Sequence, residues 1–190
     1  MTVMFFTKPS LQLDRKSVYR YMGASGISDG ALLRQTEAII SEAETAPDFR
    51  VCYETVSVSV CEDTVSFDGT LHIRSQSLAS HLFGKTKAVL FCASCGAWFD
   101  RKIAASKLSP AQAVIYDAVG TAAIEQLCDD FCAVMNTVGA RFSPGYGDLP
   151  LSFQAQLLQR LQADRYPGVC LTDSLLMTPV KSVTAIAALE

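Results

Sequence analysis

Two hydrophobic periods share this chain. Residues 14–22 carry the spacing of a short helix with Asp14 as its N-cap, and glycines between positions 23 and 26 break it. Ser28-Asp29 opens a second helix reaching about position 46, with Leu32, Leu33, Ala38, Ile39 and Ile40 as its apolar residues; Pro47 ends it. The period then falls to two over 51–60, where Cys52, Thr55 or Val56, Val58 and Val60 predict a strand. Residues 64–67 and 70–73 are short extended runs around Asp68-Gly69, a hairpin signal. A short helix over 75–82, stopped by Gly84, precedes the unbroken apolar run 87–92, which reads as a buried strand.

Gly96 turns the chain into a helix over 97–106. Ser109-Pro110-Ala111-Gln112 then combines a capping residue, a first-turn proline and the Gln of a capping box. The helix it starts is predicted to run to about 138, with Gly139 as its C-cap. One more helix over 151–163 and two strands over 168–171 and 182–189 complete the reading. Hairpins mixed irregularly with helices predict an α+β fold rather than a doubly wound sheet. No long linker interrupts 1–190, which reads as a single unit. Helices and a hairpin fill 1–84, and the motifs described below fall in 85–190.

Composition narrows the classes. The chain is 49% hydrophobic and 18% charged, with net charge −3 and no basic run, which excludes a disordered chain and argues against a nucleic-acid partner. Residues 1–6 are too short for a secretory core, Lys8-Pro9 ends them, and no run has the length of a bilayer span. Seven irregularly placed cysteines then read as reduced thiols, and a cytoplasmic protein is expected.

The stretch from Arg141 to Asp148 holds the most chemistry. Arg141 is a planar, permanently charged fork suited to a carboxylate. Pro144-Gly145 makes a turn that lets a ligand approach the backbone, and Tyr146 offers a ring and a hydroxyl. Such a set suits a small zwitterion with an aromatic portion. The alternative is an ordinary helix-to-helix turn carrying a surface arginine. Glu125 continues the apolar stripe of Ala111, Val114, Ile115, Ala118 and Ala122, where a carboxylate needs a cationic partner, Arg141 or a ligand. The alternative there is that the stripe has already reached solvent.

Cys92-Ala93-Ser94-Cys95 is a lone C-x-x-C, a spacing used by redox thiols and, in pairs, by zinc sites. Ordinary buried cysteines at a strand end are the plainer reading. His72 and His81 are not at ligand spacing and read as structural. No metal site and no self-contained hydrolase, kinase or dehydrogenase motif is present, so no catalytic residue is assigned.

The run Arg141-Phe-Ser-Pro-Gly-Tyr146 resembles the Arg-x-x-Pro-Gly-Tyr signature of the activation domain of cobalamin-dependent methionine synthase. Residues 169–183, with Leu171-Thr172, Ser174, Met177, Pro179 and Ser182-Val183, are similar to that domain's Leu-Thr-x-Ser-x-x-Met-x-Pro-x-x-Ser-Val segment. The first 80 residues resemble the small free-standing versions more than the fused one. The resemblance implies a curved α+β domain, a twisted antiparallel sheet flanked by helices. It implies S-adenosylmethionine as ligand, with Arg141 on its carboxylate, Glu125 facing its cationic side, and Ser143, Gly145 and Tyr146 lining the site.

The implied function, in methionine biosynthesis, is that of a methyltransferase subunit without an active site of its own. It would dock in trans on a methionine synthase core holding the cobalamin. There it would support reductive methylation of cob(II)alamin with an electron from a flavodoxin-like donor. The family also has an acidic contact near its N-terminus, for which Asp14 and Asp29 are candidates, and a further tyrosine for which this sequence has no counterpart. A non-enzymatic docking module for a corrinoid protein or methyltransferase is the alternative expectation. A thiol or metal protein built on Cys92 and Cys95 is a third.

Overall fold

The computed structural model describes residues 2–23, 29–105 and 109–190. In chain order the elements are β1 (Met4–Lys8), α1 (Arg15–Tyr21), α2 (Gly30–Ala43), β2 (Phe49–Cys61), β3 (Thr64–Phe67) and β4 (Leu71–Arg74). There follow α3 (Gln76–His81), β5 (Lys87–Ser94), α4 (Trp98–Ala105), α5 (Pro110–Met135), β6 (Thr137–Phe142), α6 (Phe153–Leu161), β7 (Cys170–Leu171), β8 (Met177–Thr178) and β9 (Ser182–Leu189).

Seven strands make one antiparallel sheet in the order β4-β3-β2-β5-β9-β6, with β1 pairing the first half of β2; β7 and β8 form a separate ribbon. Alternation along β2 and β5 sends side chains to two cores. Val51, Val89, Phe91 and Ala93 pack under α1, α2, α4 and α5, while Cys52, Val56, Leu90 and Cys92 pack with α3 and α6 on the other face. The fold is therefore α+β, an antiparallel sheet flanked by helices, as expected. Among the described residues, no helix is long and apolar enough to cross a membrane.

Side-chain chemistry sets the element boundaries. Asp14 and Asp29 cap α1 and α2 through the backbone N–H groups of Lys16 and Ser17 and of Ala31 and Leu32. Ser28, read as opening α2, lies outside the described residues. Asp68 and Gly69 both take positive φ, 50° and 64°, in the short loop that joins Phe67 to its partner Leu71, which matches the twist of a hairpin. Ser109 makes no side-chain cap hydrogen bond, so the expected capping box is not formed.

Helix α5 crosses the upper core and fixes what lies beyond it. Phe131 is fully buried, with its ring 4.9 Å from Phe91, 5.0 Å from Tyr53 and 5.7 Å from Phe6. Burying one such ring contributes about 1.5–3 kcal/mol and holds the C-terminal half of α5 in register on the sheet. The helix ends earlier than expected. Asn136, not Gly139, takes the left-handed capping conformation (φ 53°, ψ 46°), and its N–H donates to the Ala133 carbonyl. The chain then reverses into β6, so Arg141 stands on an edge strand rather than in a turn between helices.

One buried ion cluster ties α6 to the sheet. Arg160 donates from Nε to Glu54 at 2.7 Å and from Nη2 to Asp68 at 2.5 Å, with the Arg160 and Glu54 side chains only 6% and 5% exposed. On the opposite face Lys181, between β8 and β9, donates to Asp117 (2.8 Å) and Thr121 (2.9 Å) of α5.

Candidate functional site

β6 pairs with β9 at Thr137, Val138 and Phe142. Four steps along β6, from Val138 to Phe142, face only two along β9, from Ala188 to Ile186. The surplus residues bulge out around Gly139, whose φ of +76° is one that side-chain-bearing residues rarely adopt. The bulge aims consecutive side chains to opposite faces. Arg141 turns toward α5, and Phe142 turns into the core under α3 and α6.

The guanidinium of Arg141 is shared by two carboxylates one helical turn apart on α5. Nη2 donates to Glu125 at 2.6 Å, and Nη1 donates to Asp129. The Arg141 side chain is 20% exposed, while Glu125 is 44% and Asp129 65% exposed. Glu125 therefore lies on the flank of the helix rather than on a buried stripe. Val114 of the expected stripe is itself 53% exposed. Ile115, Ala118 and Ala122 of that stripe are buried as expected, and the seam then runs through Val119, Ala123 and Leu127 rather than to Glu125.

Two hollows meet at this ion pair. One, about 150 Å³, lies between α1 and α5 and includes Asp14, Arg20, Tyr21, Glu125 and Asp129. The other, about 350 Å³, runs along the free edge of β6 and is lined by Asp129, Cys132, Gly139, Ala140 and Arg141. Both N-terminal candidates cap helices, Asp14 α1 and Asp29 α2, but only Asp14 also lines the hollow of Glu125. The first hollow carries more negative than positive groups, and the second opens onto the guanidinium and onto β6, the terminal strand of the sheet among the described residues.

The loop after β6 is braced against α3. Gly145 N–H donates to the Leu149 carbonyl at 2.8 Å, and Tyr146 N–H to the Ser143 carbonyl at 3.1 Å. Asp148 accepts from Ser75 Oγ (2.6 Å) and from the backbone N–H groups of Gln76 (2.7 Å) and Ser77 (3.0 Å). Those three bonds hold its carboxyl well below the usual carboxylate range. Gly147 makes the contact close enough. Its φ is +55°, and a Cβ there would fall 2.5 Å from Ser77 Oγ. Ser143 is half-buried and Gly145 exposed. The Tyr146 ring is 71% exposed and stands edge-on to Phe142 at 5.9 Å. The structure thus brings Arg141 and Glu125 into contact, but Ser143, Gly145 and Tyr146 line neither hollow: they follow the end of β6, with Tyr146 on the Phe142 side, away from the Arg141 guanidinium.

Asp129 has no place in the reading from sequence. Its only signal was its position four residues after Glu125, which puts both carboxylates on one helix face. His81 packs its ring 5.3 Å from Phe142 and bonds the backbone of Ala140. Burial is the main cause that pushes its pKa down, so it braces the bulge as a neutral ring. Cys92 and Cys95 point into the two different cores, and burial raises both thiols. They form no redox pair, and among the described residues no group of His, Cys, Asp and Glu could hold a metal ion.

No protein-family model matches this sequence, nor does any curated protein. Solved structures do match the fold. The crystal structure of the MetH reactivation domain bound to AdoHcy superposes with a TM-score of 0.70. The match covers 99% of this chain and 78% of that one, at 14% sequence identity. This chain therefore has the fold of the MetH reactivation domain.

Proposed function

We propose that this chain binds S-adenosylmethionine at the junction of the two hollows and serves, in trans, as a reactivation subunit for a cobalamin-dependent methionine synthase. One observation carries the reading: Arg141 and Glu125, opposite charges from two elements, converge beside a free strand edge. The donor set fits such a ligand. Arg141 offers the carboxylate a two-pronged donor, and Glu125 and Asp14 line the hollow where an ammonium or sulfonium would sit. When bound, S-adenosylmethionine supplies the methyl group that a reduced cobalamin would accept. The protein's own part is to bind, orient and present it. The likeness of fold to a domain solved with AdoHcy supports this reading, as does the double motif of residues 141–146 and 169–183.

Isothermal titration of the chain with S-adenosylmethionine, alone and with a methionine synthase core lacking its own reactivation domain, tests it. Saturable binding is expected, tighter with the partner. Absence of heat in both titrations refutes it. A second reading, a docking module without ligand, draws on the fact that Arg141 is already satisfied by Glu125 and Asp129. Capture of a corrinoid protein without S-adenosylmethionine binding would favour it.

A further inference from the structure

We infer that Asp129 is an internal competitor for the ligand's carboxylate, a latch that keeps the Arg141 fork closed until S-adenosylmethionine displaces it. This deepens the proposed function and rests on it. Each prong of the guanidinium is spent on a different carboxylate, Nη2 on Glu125 and Nη1 on Asp129. One N–H of each prong is thereby committed, so a ligand carboxylate arriving from the edge groove must compete with Asp129 for Nη1. The two are unequal. Glu125 shares the smaller hollow with Asp14 and is the less exposed; Asp129 is 65% exposed and can swing into water at little cost.

Asp129 also has a spatial role. Among the described lining residues it is the one common to both hollows, and so forms the wall between them. The smaller hollow, at about 150 Å³, is below the size of a small-molecule site. Rotation of Asp129 away from Arg141 joins it to the 350 Å³ edge groove. The joined space falls in the range of about 300–1,000 Å³ typical of such sites. One movement therefore frees the donors for the carboxylate and lengthens the cleft for the rest of the ligand. Glu125 remains to receive the ammonium. Arg20, lining the same hollow with its guanidinium 5.0 Å from the Tyr21 ring, supplies a place for the displaced carboxylate.

The test compares Asp129→Asn with wild type by titration of S-adenosylmethionine and of 5′-methylthioadenosine, which lacks the amino-acid portion. Exposed ion pairs contribute up to about 1 kcal/mol, so Asp129→Asn should tighten S-adenosylmethionine about two- to fivefold. It should leave methylthioadenosine unchanged and add nothing in an Arg141→Ala background. Asp130→Asn, which removes an equal charge paired instead with Lys8, should not reproduce the gain. Binding by Asp129→Asn where wild type gives no heat also supports the latch. Equal or weaker S-adenosylmethionine binding by Asp129→Asn overturns the latch while leaving the functional reading intact. An equal gain for both probes overturns it as well, assigning the effect to net charge. If neither protein binds S-adenosylmethionine, alone or with the synthase core, the functional reading fails and the latch with it.

Discussion

Replacing Arg141 with alanine separates two roles that the same guanidinium could play. As a structural staple it joins β6 to α5, but both partners are largely solvated. Pairs of this kind contribute up to about 1 kcal/mol each, so the fold should lose about 1–2 kcal/mol. In a chain of this size that lowers the Tm by about 2–8 °C. As a ligand anchor it would make two charge-assisted hydrogen bonds, each contributing about 1.5–3 kcal/mol. Part of that gain is offset because Glu125 and Asp129 already occupy the donors, leaving about 2–3 kcal/mol net. Affinity for S-adenosylmethionine should therefore fall roughly 30- to 150-fold. Arg141→Lys keeps the charge without the planar fork and should fall between the two. Calorimetry gives the affinities and a thermal scan gives the Tm. A Tm loss in the stated range with unchanged affinity would refute the anchoring role and leave Arg141 a staple.

Three further outcomes follow from the packing. Arg160→Met should cost about 3–5 kcal/mol, because Glu54 would remain buried and unpaired; chemical denaturation measures it, and a loss below 1 kcal/mol would contradict the account. Gly147→Ala should cost about 1–3 kcal/mol, read from the Tm, from its left-handed φ and the contact with Ser77. His81 is held neutral, so its folded pKa lies below the unfolded value of about 6.5. The unfolded chain then binds the extra proton first, and stability present above about pH 6.5 drains away as pH falls through the folded value. His81→Gln should flatten that part of a Tm-against-pH curve, and an unchanged slope would show that other groups produce it.

Much of this architecture could be read before any coordinates. The hairpin was legible because Asp68-Gly69 is a local signal, and the helix starts at Asp14 and Asp29 are local as well. Elements defined by partners far along the chain were not. β1 is a short edge strand whose Phe6 packs inward while Phe5 is 60% exposed, too brief for its alternation to stand out. β6 was absorbed into the preceding helix because the apolar spacing of Leu127, Phe131 and Val134 runs on into Val138, and Gly139 offered a plausible stop. Asn136 took that role, and the reversal it causes is what lays Arg141 back along Glu125. The chemistry of the pair was evident from residue type. The second carboxylate was not, because an Asp on a polar helix face carries no mark until its neighbour across space is known.

The position of β9 has a consequence for how the protein is made. β6 hydrogen-bonds to β9, which follows it in the chain only after α6, β7 and β8. During synthesis Arg141 emerges well before the strand that gives its own strand a template, while the β1–β2–β5 half can already zip together. The junction of Arg141 and Glu125 thus gains its sheet support only once β9 has followed. A nascent chain stalled short of residue 182 would present a folded body with a raw sheet margin at β5, a target for chaperones and for unwanted pairing.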